Sequence, residues 1–366
     1  MNIKIRLMRE DETAEVNSVY NRAYGNIRSN DYFKWEFING PWGKAIYVLA
    51  EDLEKEENKI IGTQSAIPIV FTDGKGNKIL TAKSEDTFVH PDYRGHKLFE
   101  KMYDLLFEEC KNAGIQYIWG FTYARKPFLK LGFEIPFETL QGIFINRPLK
   151  AYKYLSGLNS SNSSGTRLKI LGLCFLSKLK VIIRNILNGF QRSTYNINRS
   201  KKFNKELLIN SILNSNPGLW TMDQKEEYIN WRIENNPYPN NFENVSVFEN
   251  DSEIYLANFL FNSREKGYVY LEEILFDKSV SVSESVLMVS NSLKMIIVSS
   301  QPALIRFWGF DTNTITTSEI SILKKSGFKF VKKGTAFVWK VLDNDSNKKI
   351  EPENLLLSRL FTQGNR

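Results

Sequence analysis

The sequence is poor in the residues that most often carry metal and redox chemistry. Two cysteines and two histidines occur among 366 residues. Cys110 and Cys174 have no metal-ligand spacing, which argues against a zinc site or a disulfide framework and suits a reducing compartment. His90 and His96 fall in one short segment, so no independent histidine is present for a hydrolase triad. We therefore expect no metal centre.

Long apolar runs are also lacking. No uninterrupted stretch of roughly 18 apolar residues indicates a membrane-spanning helix. The amino-terminal segment MNIKIRLMREDETAEV has no apolar core of a signal peptide, so we expect a cytoplasmic protein. No Walker loop or dinucleotide-binding fingerprint is present. The contents of 42% hydrophobic and 25% charged residues are those of a soluble globular protein.

Acidic residues are absent from one segment, residues 147–205, which holds thirteen Lys or Arg. Because the whole chain carries a formal charge of +8, the remainder is net negative. The stretch 154–167 has the composition of a flexible linker. The stretch 168–190 is apolar with interspersed cations. It is interpreted as a packed helix, as an amphipathic helix at the inner, anionic face of a membrane, or as a nucleic-acid contact. No nucleic-acid motif supports the third, so we expect no nucleic-acid partner.

The sequence contains an internal repeat. Three pairs of landmarks recur in the same order: YFKWEFINGP (32–41) with YINWRIENNP (228–237), WGF (119–121) with WGF (308–310), and FLKLGF (128–133) with LKKSGF (323–328). Nearly equal spacing predicts two copies of one domain. We expect domains at 1–148 and 206–345, a basic linker with a helix at 149–205, and a tail at 346–366.

Each copy reads as a mixed α/β domain. Strands at 60–72 and 78–89 flank the turn DGKGN (73–77), which indicates a hairpin. The apolar spacing predicts a helix over 94–112 in the first copy and one over 281–292 in the second. The expected fold class is α/β (α+β), with two domains, each a mixed, mostly antiparallel sheet flanked by helices.

Three further strands complete this prediction. FETLQGIFI (137–145) is expected to close the sheet of the first copy. In the second copy, MIIVSS (295–300) is predicted as a strand, and TAFVWKVL (335–342) is expected to close the sheet.

The segment TFVHPDYRGHKLFEKMYDLL (87–106) carries the strongest functional signal. A strand ends at Val89, a turn follows, and Arg94-Gly95 open an amphipathic helix. Such a start directs backbone N–H groups and the positive end of the helix dipole at one point. Because Arg94, His96 and Lys97 add side-chain nitrogen, we predict a phosphate or pyrophosphate site.

Within this segment, VHPDYRGHKLF resembles the acyl-CoA loop of the GNAT (Gcn5-related) N-acetyltransferases, whose pattern is V-x-P-x-[YF]-R-G-x-G-x-[GA]. The stretch WGFTYARKPFLKLGFE (119–134) is similar to that family's next strand, short helix and Gly-Phe junction. The double copy is similar to tandem relatives such as mycothiol synthase, N-myristoyltransferase and the cell-wall cross-bridge peptidyl transferases.

The resemblance implies that acetyl-CoA (coenzyme A) is the cofactor and that its acetyl group passes to a primary amine. The acceptor it suggests is a small-molecule amine, with an amino sugar of a cell-surface polysaccharide as one example. Main-chain groups of Phe88 and Val89 would pair with the pantetheine arm. The pyrophosphate would lie on the amides and cations of Arg94, Gly95, His96, Lys97, Leu98 and Phe99.

The chain departs from the family pattern at three positions. Lys97 stands where the family usually has Gly, and Phe99 where it has Gly or Ala. Phe128 occupies the position where the family often has a tyrosine that acts as the general acid, and its side chain has no proton to donate. Tyr123 is the nearest phenol and our candidate for the general acid.

The candidates for the general base are Glu85 and Asp86, late on the central strand. Strand alternation predicts that they point to opposite faces, with one of them toward the cleft. Tyr32 and Trp35 of the repeated motif are either core residues or part of the lining of the acceptor pocket.

The second copy lacks the loop. It reads LFDKSVSVSESVLMVSNSLKM (275–295), without the Arg-Gly pair and without a cluster of cations at the helix start. We therefore predict a degenerate copy that does not bind coenzyme A. Two alternatives to an acetyltransferase stay open: an aminoacyl or peptidyl transferase of the cross-bridge type, which uses charged tRNA, and a non-catalytic acyl-CoA-binding module.

Overall fold

The computed structural model describes residues 2–25, 27–157, 164–188, 195–200, 206–238, 240–250, 252–265, 267–331, 334–343 and 349–362. The chain forms two compact units, each assembled from segments that are distant in sequence. Unit 1 comprises Met1–Glu138, Trp220–Tyr238 and Thr335–Glu353. Unit 2 comprises Thr139–Leu219, Pro239–Gly334 and Asn354–Arg366.

The chain contains both strands and helices throughout its length. The first part holds β1 (Ile3–Leu7), α1 (Thr13–Tyr24), α2 (Asn30–Phe37), β2 (Ile46–Asp52), β3 (Ile60–Asp73), β4 (Lys78–Val89), α3 (Leu98–Asn112), β5 (Tyr117–Thr122), α4 (Arg125–Lys130), β6 (Leu140–Ile145), α5 (Pro148–Gly157) and α6 (Ser164–Asn188). The second part holds β7 (Tyr195–Ser200), α7 (Glu206–Ser215), β8 (Trp220–Met222), α8 (Glu226–Ile229), β9 (Phe242–Glu249), β10 (Tyr255–Glu265), β11 (Tyr268–Phe276), α9 (Val282–Ser300), β12 (Leu304–Gly309), α10 (Thr314–Lys325), β13 (Lys329–Val331), β14 (Ala336–Val341) and β15 (Leu355–Leu356).

The sheet of unit 1 has the strand order β1-β2-β3-β4-β5-β14, and β8 pairs with the distal end of β3. Neighbouring strands are antiparallel except β4 and β5, which run parallel. The apolar face of α3, including Met102 and Leu106, packs on one side of the sheet. Helices α1 and α2 cover the other side, where Phe33 and Phe37 pack against Tyr47 of β2.

The sheet of unit 2 has the order β13-β6-β12-β11-β10-β9-β7. Among its described residues, β11 and β12 run parallel and the other paired strands are antiparallel. Met288, Leu293 and Ile296 of α9 are buried in the core of this unit. Both units thus have a mixed, mostly antiparallel sheet flanked by helices, which confirms the predicted fold class.

The two closing strands do not lie where the sequence predicts them. In unit 1 the strand next to β5 is β14, with Trp339 opposite Trp119. In unit 2, β6 lies between β12 and β13, with Gly142 opposite both Phe307 and Phe330. The expectation that each copy closes its own sheet is therefore wrong.

Because of these strands, the compact units follow boundaries other than the predicted 1–148 and 206–345. Several predicted segments lie partly outside the described residues. They are 158–163, 189–194 and 201–205 of the linker, and 346–348 and 363–366 of the tail.

The predicted strand at 295–300 is also wrong, because these residues form the last turns of α9. Ile296 continues the helical series of buried side chains begun by Met288 and Leu293, so packing overrides the β-propensity of the Ile-Ile-Val run. By length and composition alone, α9 could cross a membrane. Its buried stripe instead identifies it as the core helix of unit 2.

The repeated motif packs against its own copy within unit 1. The indole rings of Trp35 and Trp231 stack with their centroids 4.5 Å apart. Each indole N–H donates to the main-chain oxygen of the other residue, at 2.9 Å from Trp35 and 3.0 Å from Trp231. Tyr32 stacks on Tyr238 at 4.1 Å. The motif recurs because the two copies form one reciprocal aromatic cluster.

Replacing Trp35 with Phe is expected to lower the free energy of unfolding by about 1–3 kcal/mol, because the main-chain oxygen of Trp231 loses its donor in a partly buried site. Trp231→Phe should cost a similar amount, since the two bonds are reciprocal. Urea unfolding followed by circular dichroism measures both. Trp42→Phe is the matched control, because among the described residues the Trp42 indole stacks on Tyr228 but makes no hydrogen bond. An equal cost at Trp42 would contradict this account.

Candidate functional site

The candidate site begins where β4 and β5 separate. Their parallel pairing ends at Lys83 opposite Trp119. Beyond that point, within the described residues, β5 pairs only with β14 on its other edge. A Cβ on Gly120 would lie 3.2 Å from the main-chain oxygen of Ser84, so glycine permits the close approach directly after the last paired residues. The free edges can accept an extended ligand.

A short loop connects β4 to α3. His90 caps a 3-10 turn over Pro91–Tyr93, with its Nδ1 accepting from the Asp92 amide at 3.3 Å. Tyr93 is buried, and its hydroxyl donates to Asp52 Oδ2 at 2.5 Å. The loop is therefore anchored at its start. Arg94, Gly95, His96 and Lys97 are all exposed.

The main chain of this loop presents amide donors. Gly95 and Lys97 have positive φ angles of 89° and 57°. No side chain caps α3, whose first bond from the loop is Lys101 N–H to the Lys97 oxygen. Among the described residues, no acceptor is paired with the amides from Gly95 to Glu100. Backbone "nests" of this kind bind anions, and the dipole of α3 adds to the effect.

The structure explains both departures in the loop. Lys97 has the left-handed backbone that a glycine adopts without strain, so the family's usual Gly fits this position. In this chain the left-handed backbone of Lys97 costs about 1–2 kcal/mol of stability. The lysine adds a cation to the loop in return. Phe99 turns inward, with its ring 4.8 Å from Tyr103 and 5.6 Å from Phe128. Its side chain belongs to the core and leaves the loop open.

Glu85 and Asp86 do not alternate as the sequence predicts. The β3–β4 register shifts between Ser65 opposite Glu85 and Thr63 opposite Phe88, which marks a β-bulge at Asp86. Asp86 has a positive φ of 51°. As a result both carboxylates lie on the sheet face opposite α3, and the prediction of opposite faces is wrong.

Asp86 is the centre of a buried ionic cluster. Arg28 donates to both of its oxygens, at 3.1 and 2.7 Å, and the Tyr47 hydroxyl donates at 3.0 Å. Arg28 also lies 3.7 Å from Glu36 and packs its guanidinium over the ring of Tyr20. Burial and the Asp86 charge raise the pKa of Tyr47, which keeps the phenol protonated as a donor. This set of contacts gives Asp86 a structural role.

Glu85 has a different environment. Its carboxylate is partly exposed and forms an ion pair with the buried ammonium of Lys83, two residues earlier on the same face of β4. Within the described part of the chain, no group of three potential metal ligands comes together at this or any other place. Of the two acidic candidates, Glu85 has the carboxylate that solvent reaches.

A buried polar chain behind β4 was not anticipated from the sequence. Thr87 donates to Gln64, Gln64 donates to Ser84 at 3.0 Å, and Ser84 contacts the Tyr103 hydroxyl at 2.7 Å. Burial raises the pKa of Tyr103. Tyr24 donates to the main-chain oxygen of Thr87 at 3.0 Å. The sequence signal that could have indicated this chain of polar groups was Tyr103, a tyrosine on the apolar face of α3.

The phenol candidate lies at the carboxyl end of β5. Tyr123 is 80% exposed, and its hydroxyl has no partner among the described residues. Phe128 is buried between Tyr103 and Phe133, so the position where the family often has a tyrosine is part of the core here. Within residues 117–130 the other tyrosine is Tyr117, which lies at the start of β5 and not at its carboxyl end.

The remaining predicted residues separate into two groups. Phe88 and Val89 lie on the last, partly exposed residues of β4, next to the loop. Trp35, by contrast, is only 5% exposed and belongs to the reciprocal aromatic cluster. Tyr32 is half-buried against Tyr238. Both aromatic residues are thus engaged in packing.

Unit 2 contains a helix in the corresponding topological position, α9 after β11. Its start is closed by a capping box. The Ser281 hydroxyl accepts from the Glu284 amide at 3.3 Å, and Glu284 accepts from the Ser281 amide at 2.9 Å. Internal partners and an acidic side chain occupy the place where α3 leaves its amides unpaired. This helix start is not suited to a phosphate.

Comparisons with known proteins agree with the fold. The Acetyltransferase (GNAT) domain matches residues 4–135. A GCN5-related N-acetyltransferase from Anabaena variabilis is similar in structure, with a TM-score of 0.59, 10% identity, and coverage of 93% of this chain and 73% of the other. A probable N-acyltransferase from Enterococcus faecalis has a TM-score of 0.58 at 9% identity, with coverages of 93% and 73%. A tandem GNAT protein from the clavulanic acid biosynthesis pathway has a TM-score of 0.55 at 8% identity, with coverages of 94% and 100%. No curated protein matches the chain.

Proposed function

Because this chain carries a GNAT-family acetyltransferase domain in residues 4–135, we propose that it transfers an acetyl group from acetyl-CoA to a primary amine. The observation that supports this proposal most directly is the row of amides from Gly95 to Glu100, which have no acceptor in the described part of the chain, beside the point where β4 and β5 part. Unpaired donors at a helix start suit a pyrophosphate. A gap between strands suits an extended arm.

The residues present fit coenzyme A. The amides from Gly95 to Phe99, with Arg94 and Lys97, would hold the pyrophosphate, and main-chain groups of Phe88 and Val89 would pair with the pantetheine arm. When bound, acetyl-CoA supplies an acyl group activated as a thioester. The protein's part is to align the amine and to move two protons.

We assign the base to Glu85 and the acid to Tyr123. A partly exposed carboxylate is accessible to an ammonium substrate, whereas Asp86 is enclosed by Arg28 and Tyr47. Tyr123 carries an exposed phenol at the end of β5, where a leaving thiolate would need a proton. An amino sugar is the acceptor we would test first.

A non-catalytic acyl-CoA-binding module is the second candidate. The buried, proton-less Phe128 favours it, because the family's frequent acid is missing from that position. Release of free thiol from acetyl-CoA in the presence of a panel of amines and amino sugars distinguishes the two. Amine-dependent release supports the transferase, and binding without release supports the module.

The pyrophosphate site is tested by replacing Arg94 with Ala and Lys97 with Gly in one variant. We expect coenzyme A to bind at least about tenfold more weakly, since two charge-assisted contacts are removed. Lys97→Gly also relieves the left-handed backbone, so the variant should fold at least as well as the parent. Isothermal titration calorimetry measures the affinity.

Lys111→Ala is the matched control. It removes one positive charge, against two in the variant, from the exposed far end of α3, about 20 Å from the loop at 1.5 Å per residue. Its affinity for coenzyme A should match that of the parent. Unchanged affinity in the Arg94 and Lys97 variant would place the cofactor elsewhere and overturn the proposed function.

A further inference from the structure

Helix α6 has a broad apolar surface that the fold leaves uncovered. Cys174, Ser177 and Val181 face inward, and Cys174 is buried in a cluster with Ala151 and Tyr268 of unit 2. The opposite side of the helix presents six large apolar side chains, each between 44% and 71% exposed. We name this set the outer strip: Leu168, Phe175, Leu176, Leu179, Ile182 and Ile183.

The outer strip is one continuous surface. At 3.6 residues per turn its members occupy about a third of the helix circumference, opposite Ser177 and Val181. From Leu168 to Ile183 the strip is about 23 Å long at 1.5 Å per residue. Monomeric soluble proteins rarely leave an apolar patch of this extent exposed without a partner.

Cations border the strip on both sides. Lys169 and Lys180 lie along one border and Arg167 along the other, and all three are exposed. No Asp or Glu occurs anywhere in residues 147–205. An apolar helix face with cations on both borders matches a lipid surface, where acyl chains meet the apolar residues and anionic headgroups meet the cations.

We propose that α6 docks the protein on an anionic lipid bilayer through the outer strip. A single helix presents a convex strip. Such a strip suits a deformable lipid surface better than a peptide ligand, which binds in a groove. The inward-facing residues Cys174, Ser177 and Val181 fix α6 to unit 2. The outer strip is therefore already oriented outward before it meets the membrane. This inference uses no residue of the acetyl-CoA site and stands independently of the proposed activity.

Vesicle co-sedimentation of the full chain tests the proposal. Vesicles of phosphatidylcholine with about 30% phosphatidylglycerol should bind the protein about tenfold or more better than vesicles of phosphatidylcholine alone. Leu176→Glu with Leu179→Glu should weaken binding to the anionic vesicles by about tenfold or more, because two exposed apolar anchors become charges. Both positions are exposed, so the fold should persist, and thermal unfolding checks this.

Two further variants separate the contributions. Val298→Glu introduces the same kind of charge at a 78% exposed apolar position of α9 and should leave binding unchanged. Lys169→Gln with Lys180→Gln should weaken binding to anionic vesicles several-fold and reduce its dependence on salt, because exposed cations act through screened attraction.

Two results would overturn the proposal. One is that the parent protein fails to bind anionic vesicles better than neutral ones. The other is that sedimentation velocity shows a dimer of the parent that Leu176→Glu with Leu179→Glu converts to monomers, since a second copy of the chain would then cover the strip.

Discussion

Asp86→Asn is expected to lower the free energy of unfolding by about 3–5 kcal/mol, the usual cost of removing one partner of a buried ion pair. Arg28 would keep its charge in a site where it is 4% exposed, with Glu36 at 3.7 Å as its nearest remaining carboxylate. Asparagine tolerates the left-handed backbone of this position, so the substitution removes the charge without adding backbone strain. Chemical denaturation at neutral pH measures the loss.

Asp92→Asn is the control for this experiment. The Asp92 side chain is 81% exposed, just beyond the end of β4, and its replacement should change stability by less than about 0.5 kcal/mol. If Asp86→Asn lowered the free energy of unfolding as little as Asp92→Asn, the ionic cluster would not stabilise the bulge of β4. Asp86 would then return as a candidate base.

Glu85→Gln is expected to lower kcat for acetyl transfer by about 10²–10⁴-fold, the usual contribution of a positioned general base. The affinity for coenzyme A should stay within about threefold of the parent, because the proposed phosphate contacts lie beyond the end of β4. Steady-state kinetics with the best amine acceptor, together with calorimetry, separates these two quantities.

Glu85→Asp serves as the matched variant. It keeps a carboxylate beside Lys83 but withdraws it by one methylene, so it should recover part of the activity that Gln loses. A kcat within about threefold of the parent for Glu85→Gln would remove Glu85 as the base. Because Asp86→Asn acts on stability and Glu85→Gln on turnover, the two neighbouring carboxylates can be assigned separately.

The local elements of unit 1 were predictable because short-range chemistry determines them. The hairpin of β3 and β4 is an example. Asp73 accepts from the amides of Lys75 and Asn77 at 2.9 and 2.8 Å, and Gly76 has a φ of 76°, as the sequence DGKGN indicates. The exposed loop from Arg94 to Lys97 was equally predictable, since its cations and its glycine are adjacent in the chain, and phosphate binding there stays a prediction.

The pairing of distant strands was not predictable from local patterns. FETLQGIFI and TAFVWKVL both have the alternation of strands, and their partners are decided by packing across the whole chain. Gly142 of β6 illustrates this, because a Cβ there would approach the ring of Phe330 to 3.0 Å. Nothing near residue 142 in the sequence specifies that neighbour.

The orientation of Asp86 was missed for a related reason. Alternation predicts the direction of a side chain only in a regular strand, and the bulge adds a residue near the carboxyl end of β4. A lone arginine in the stretch AYGNIRSN, Arg28, was the available hint that a buried carboxylate needs a partner. Its distance of 58 residues from Asp86 hid the connection.

The position of β14 has a consequence for synthesis on the ribosome. Unit 1 needs this strand to cover the edge of β5, yet β14 is translated only after nearly all of unit 2. Until then the nascent chain exposes the Trp119 edge of β5, and open edges invite pairing with other chains. A fragment ending at residue 148 would carry the same exposed edge, so truncation there cannot yield the complete sheet of unit 1.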